Sequence, residues 1–206
     1  MPDSGFHPTW SRPVAFWLGI FVVVSVLMVL GVTQAADVQL VQATAAIRTP
    51  GMIRVMQWWS NVGNWKVEIP FALLVAGLLW RAGQRTSAWR FVAVGTIGEA
   101  FYGLLKLAFR RPRPAGVHLS QAGGYSYPSG HTMLAVIIWS LGLVLLAHLA
   151  NQRWQRAALW TMAVAMPLLI AMSRVYLGVH YPTDVVAGLA MGMAWVAWWR
   201  GVMADG

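Results

Sequence analysis

His131–Ala150, HTMLAVIIWSLGLVLLAHLA, is a run of twenty residues without one Asp, Glu, Lys or Arg. A helix needs about twenty apolar residues to cross a hydrocarbon core of roughly 30 Å, so this stretch reads as a membrane span. Comparable runs lie on both sides of it, at about Val14–Val32, Val67–Trp80, Ala88–Phe109, Ala157–Leu177 and Pro182–Trp199. Hydrophobic residues make up 58% of the 206 and charged residues 10%, which is too little charge for a surface facing water. The expected fold is all-α: an integral membrane bundle of six transmembrane helices, with residues 1–206 forming one membrane-embedded domain.

The connections refine this picture. Val14–Val32 follows Arg12 and ends before small residues, as a signal peptide would, but it is longer than the usual apolar core of roughly 7 to 15 residues. A retained span is expected. Between Asp37 and Asn64 the apolar residues Val38, Val41, Ala45 and Ile47 recur at helical spacing, Pro50-Gly51 interrupts, and Trp58, Trp59 and Trp65 follow. This pattern predicts short helices lying at the membrane interface. Six spans put both termini in the cytoplasm and place the Arg110–Gly130 loop outside. Of the 15 Lys and Arg, seven then fall inside and eight outside, and five remain outside once Lys106, Arg113 and Arg174 are assigned to chemistry. The net charge of +9 sits at the ends of apolar runs, which suits anionic headgroups and argues against nucleic acid as a partner. With no cysteine, chemistry falls to His, Ser, Lys, Arg and the six acids.

Alternating spans bring three polar segments to one membrane side. In KLAFRRPRP, Lys106 lies in the last turn of a span and Arg113 beyond it, and together they can grip several oxygens of one phosphoryl group. Taken alone, such cations are more often headgroup anchors, the role expected here of Arg110 and Arg111. In YPSGHTM, Ser129 reads as an N-cap, and His131 opens an apolar helix whose free N–H groups suit an anion. A protonated His131 could give its proton to a leaving oxygen. An ordinary capped helix with an interfacial His fits that segment equally well. In SRVYLGVHYPTD, Asp184 follows His180 by four residues, so its carboxylate can reach one ring nitrogen and leave the other free to attack. Only this histidine has such a partner, which makes His180 the candidate nucleophile and His131 the candidate general acid. By itself, a structural His–Asp contact would be the commoner explanation.

Taken together, Lys106, Arg113-Pro114, Pro128-Ser129-Gly130-His131, Ser173-Arg174, His180 and Asp184 keep the order and spacing of a known signature. The pattern resembles that of the type 2 phosphatidic acid phosphatase superfamily, the lipid phosphate phosphatases, over Lys106–Asp184. The resemblance implies that His180 forms a phosphohistidine, that Asp184 orients it and that His131 protonates the leaving group. It also implies that Lys106, Arg113, Ser129, Gly130 and Arg174 hold the phosphate oxygens. Fixed cations do the work a metal would do, and the motifs contain no acid besides Asp184, so neither metal nor cofactor is expected.

The expected partners are a phosphorylated membrane lipid and the bilayer. The expected substrates are undecaprenyl pyrophosphate, phosphatidylglycerol phosphate or phosphatidic acid, and the expected place is a bacterial inner membrane with the site facing the periplasm. Arg110 and Arg111 tilt this reading toward a highly charged headgroup. The alternatives are a lipid phosphotransferase with the same intermediate, and a non-catalytic binder or transporter of anionic lipids. Glu99, inside a span, reads first as a structural acid, and Glu68 as incidental near the surface. Gly188 and Gly192 read as a close helix-packing pair.

Overall fold

The computed structural model describes residues 11–204, which contain helices and no strand. In order these are α1 (Ser11–Val29), α2 (Gln34–Ala46), α3 (Pro50–Val62), α4 (Trp65–Arg81), α5 (Arg85–Phe109) and α6 (Gly130–Ala135). A π-helical turn, Val136–Ser140, joins α6 to α7 (Leu141–Leu149), and α8 (Arg153–Tyr176) and α9 (Pro182–Ala204) complete the chain.

Each boundary has a local cause. Pro50, which interrupts the apolar pattern, is the first residue of α3, where a missing N–H costs nothing; the Thr49 hydroxyl accepts from the Met52 N–H at 3.2 Å. Asn64 caps α4 in the same way through the Lys66 N–H. The mixed segment between the first two apolar runs is therefore two 13-residue helices, α2 and α3. In the π-helical turn the Ser140 hydroxyl donates to the Ala163 carbonyl at 2.6 Å, tying this helix to α8.

By length and composition α1, α5, the continuous Gly130–Leu149 helix and α8 can each cross a membrane. The outward faces of these helices expose Val22, Leu104 and Val164, which suit lipid better than water. A fifth crossing arises if α3 and α4, bent by 49° at their junction, count as one. The difference from the six separate spans read in the sequence lies partly in α4. Its 17 residues extend only about 25 Å, and it needs α3 to complete a crossing. Six crossings require α9 as well, which has 23 residues and carries Asp184 in its first turn.

α9 is the hub of the bundle, packed along α1 and against α6 and α8. Gly188 and Gly192 allow this closeness: a Cβ at Gly188 would lie 2.7 Å from the Ser129 carbonyl oxygen, and one at Gly192 2.8 Å from Val136 Cβ. Lipid tails are as apolar as leucine, so such close contact, more than expulsion from water, holds membrane helices together. It also seats the start of α6 directly against the start of α9.

Candidate active site

α5 is capped by Arg110, whose backbone is left-handed (φ 48°) and whose N–H closes on the Lys106 carbonyl at 3.0 Å. Pro112 and Pro114 cannot continue a helix, so the chain leaves extended and carries Arg111 and Arg113 toward the turn between α8 and α9. That turn, Leu177–Tyr181, holds His180, and α9 begins just after it.

Asp184 is oriented by the local sequence. In Tyr181-Pro182-Thr183-Asp184 proline opens α9, and the Asp184 side chain reaches back to accept the Tyr181 N–H at 2.8 Å, as a third-position acid does in a capping box. The same oxygen, Oδ2, accepts the Ser126 hydroxyl and lies 3.4 Å from His180 Nδ1. The other, Oδ1, accepts from Arg111 Nη1 at 2.7 Å. Asp184 and His180 are both fully buried.

The second ring nitrogen of His180, Nε2, lies 3.2 Å from Arg113 Nη1. A guanidinium has only donors, so Nε2 is the acceptor, and the proton sits on Nδ1 toward Asp184. Burial pushes the His180 imidazole down to about 4 from its usual 6.5; Asp184 opposes this, while Arg174 and Arg113 add to it. The ring is neutral at physiological pH, with its free lone pair on Nε2. Arg113 is itself fixed by the carbonyls of Val179 at 2.7 Å, Gly123 at 2.7 Å and Gly124 at 3.1 Å.

Arg174, in the last turn of α8, is buried. Its Nη1 donates to the hydroxyls of Ser60 and Ser120, while its Nε has no hydrogen-bond partner among the described residues. An unsatisfied buried donor on a cation is a strong invitation to an anion. Lys106 lies over the Tyr102 ring at 5.1 Å and within electrostatic reach of Arg113, Arg174 and Asp184. His131, at the start of α6, is within such reach of His180, Arg174, Lys106 and Arg113. Ser129 stands at the cap position of α6, but its side chain does not cap: its Oγ accepts from the Thr132 hydroxyl at 2.9 Å, and its N–H donates to the Asp184 carbonyl at 2.9 Å. At Gly130 a Cβ would come within 2.4 Å of the Tyr102 ring, so only glycine lets α5 and α6 approach this closely. The structure thus brings the eight residues singled out in the three motifs together around His180 and the cations Lys106, Arg113 and Arg174.

It also adds residues that the motifs did not indicate. Arg111, read as a headgroup anchor, is 7% exposed and divides its donors between Asp184 and Asp37 of α2, each at 2.7 Å. Its charge is held by carboxylates and is not an extra grip on a highly charged headgroup. Arg110, by contrast, is exposed at the helix end. Asp37, Ser126, Ser60 and Ser120 were likewise missed; no spacing links them to the motifs, and only the fold brings them there. Glu68, read as incidental, is 5% exposed and lines a cavity of about 440 Å³ together with Glu99, between α4, α5 and the helix beginning at Gly130.

A histidine poised as a neutral acceptor beside fixed cations, in a helical membrane bundle, defines a phosphoryl-binding membrane protein. Residues 87–205 match the PAP2 superfamily, and the chain belongs to that family. It is 27% identical over 184 residues to phosphatidylglycerophosphatase B of Bacillus subtilis, covering 88% of this chain and 90% of the relative. It is 31% identical over 148 residues to an undecaprenyl-diphosphatase of Sulfolobus acidocaldarius, covering 69% of this chain and 66% of the relative. The crystal structure of a transmembrane PAP2-type phosphatidylglycerolphosphate phosphatase from Bacillus subtilis superposes with a TM-score of 0.88 at 24% identity, over 94% of this chain and 96% of that one.

Proposed function

We propose that the chain is a metal-independent lipid phosphate phosphatase that works through a phosphohistidine at His180. The observation that carries this reading is the His180 ring, with Nδ1 turned to Asp184 and Nε2 facing Arg113. Lys106, Arg113 and Arg174 bind the phosphoryl oxygens, helped by the Ser129 hydroxyl and the first-turn N–H groups at Gly130. His180 Nε2 attacks phosphorus, the bond from phosphorus to the lipid oxygen breaks, and His131 gives that oxygen its proton. His131, now neutral, takes a proton from water as the water attacks phosphorus; the P–N bond breaks, and inorganic phosphate leaves. Asp184 balances the positive charge that the His180 ring carries while phosphorylated.

The names of the relatives support phosphatidylglycerol phosphate and undecaprenyl pyrophosphate as first substrates to try. The cavity of about 440 Å³, lined by Ile69, Leu73, Phe91, Val92 and Leu134 as well as by Glu68 and Glu99, gives a hydrocarbon chain room between α4 and α5. With α3–α4 and α9 both crossing, the termini lie in the cytoplasm and the site faces the periplasmic side of a bacterial inner membrane, in a single domain.

The test is phosphate release from both lipids in detergent with chelator present, comparing the parent with His180→Ala. Chelator-resistant release that the substitution abolishes is expected. Release that survives the substitution would leave a non-histidine route, and release lost to chelator alone would remove metal independence. A phosphotransferase would move label to an added acceptor lipid instead of to water.

A further inference from the structure

Asp184 does not face His180 alone. Oδ1 of Asp184 accepts from Arg111 Nη1 at 2.7 Å, and Arg111 Nη2 donates to Asp37 Oδ2 at 2.7 Å, so one guanidinium is shared by two carboxylates from helices far apart in the chain. The guanidinium carbon lies over the Tyr181 ring, 4.1 Å from its centroid. Thr183 closes the loop: its hydroxyl accepts from Arg111 Nη1 at 2.7 Å and donates to Asp37. Its N–H in the first turn of α9 donates to Asp37 Oδ1 at 3.1 Å. Gln34 Oε1 accepts from Arg111 Nη2 at 3.2 Å. Asp37, Arg111 and Asp184 are all buried, so these charges act on one another with little screening by water.

Such sharing has a direct electrostatic consequence. A carboxylate whose charge is taken up by a guanidinium is a poorer acceptor for an imidazole N–H, and a guanidinium divided between two carboxylates takes up less from each. We propose that Asp37 and Arg111 are positioning residues that set how strongly Asp184 holds the His180 ring, Arg111 weakening that hold and Asp37 restoring it by drawing on Arg111. The proposal rests on His180 being the nucleophile. It assigns α2, which carries none of the motif residues, a part in tuning the reaction.

The other charged groups around this chain are fixed in place and oppose one another. His180 faces Arg113 from the loop, Arg174 from α8, His131 from α6 and Asp184 from α9, while Asp184 also accepts from Ser126 and Tyr181.

The experiment is the pH profile of kcat/KM for phosphate release, in detergent, for the full-length parent, Arg111→Met and Asp37→Asn. Removing the guanidinium leaves more of the Asp184 charge for a protonated His180, so the acid limb of Arg111→Met moves to higher pH, on the order of one unit. Asp37→Asn leaves Arg111 wholly to Asp184, so its acid limb moves to lower pH by a smaller amount. Opposite movements are the signature, because general loosening of the site would not split the two variants. If both limbs stay at the parent's position, or both move the same way, the proposal is overturned. Should Arg111→Met fail to fold, Arg111→Lys, a point charge that cannot fork to both carboxylates, is expected to move the limb upward by less; an unmoved limb there overturns it equally. His180→Ala in the same series separates the two levels: activity that survives it sinks the nucleophile assignment, whereas activity lost in it with unsplit limbs sinks only the role of Asp37 and Arg111.

Discussion

Arg113 Nη1 lies 3.2 Å from His180 Nε2, across the imidazole ring from Asp184. The guanidinium thus faces the ring nitrogen that is turned away from the carboxylate. On the proposed mechanism, a phosphate oxygen bound at Arg113 would bring phosphorus toward the same nitrogen, so recognition and alignment would be one event.

The His180 imidazole is pushed down to about 4 by burial, with the neighbouring arginines adding to the shift, and on the proposed mechanism its protonation limits activity in acid. On the proposed mechanism only the neutral ring attacks, so protonation of His180 is expected to make kcat/KM fall about tenfold per pH unit below about 4, after correction for the titration of the substrate and of His131. A histidine with the ordinary value of 6.5 would place the fall more than two units higher. The profile of the parent enzyme measures this directly.

His131 is expected to matter in proportion to how badly the leaving oxygen needs a proton. His131→Ala should cost about 10² to 10⁴-fold in kcat on a lipid phosphate monoester, the usual range for loss of a general acid. On an aryl phosphate, whose leaving group departs without protonation, the first step should suffer far less. Equal losses on both substrates in single-turnover measurements would assign His131 another role.

Gly130→Ala drives a methyl group into the Tyr102 ring, with a contact of 2.4 Å that forces the ring or the helix pair to shift. Overpacking of this kind costs about 1 to 3 kcal/mol. The expected result is a lower thermal midpoint in detergent together with reduced activity, because Tyr102 also underlies Lys106.

Much of this protein is written locally in its sequence. Apolar runs marked the long helices to within a few residues, since a helix in lipid must satisfy its own backbone and show lipid an apolar face. The His180–Asp184 pair was legible because four residues is a single turn of chain. What escaped was long-range. Asp37 and Arg111 meet across 74 residues of sequence, and nothing near either one marks it as half of a buried pair. A buried arginine just past a helix end looks in sequence like a headgroup anchor, and Arg110 and Arg111, adjacent and identical, met opposite fates because the left-handed backbone at Arg110, just past the end of α5, turns the chain between them. The bend between α3 and α4 was hidden for a related reason, since the Gly63-Asn64 break reads equally as an interfacial turn and as a kink within one crossing.

The central claim is that phosphorus bonds to His180 before it meets water, and stereochemistry tests that most directly. A lipid thiophosphate made chiral with ¹⁷O and ¹⁸O is hydrolysed in ordinary water, and the configuration of the released thiophosphate is read. Two successive in-line displacements, first by His180 Nε2 and then by water, predict net retention; inversion would mean a single direct attack by water and would contradict the account.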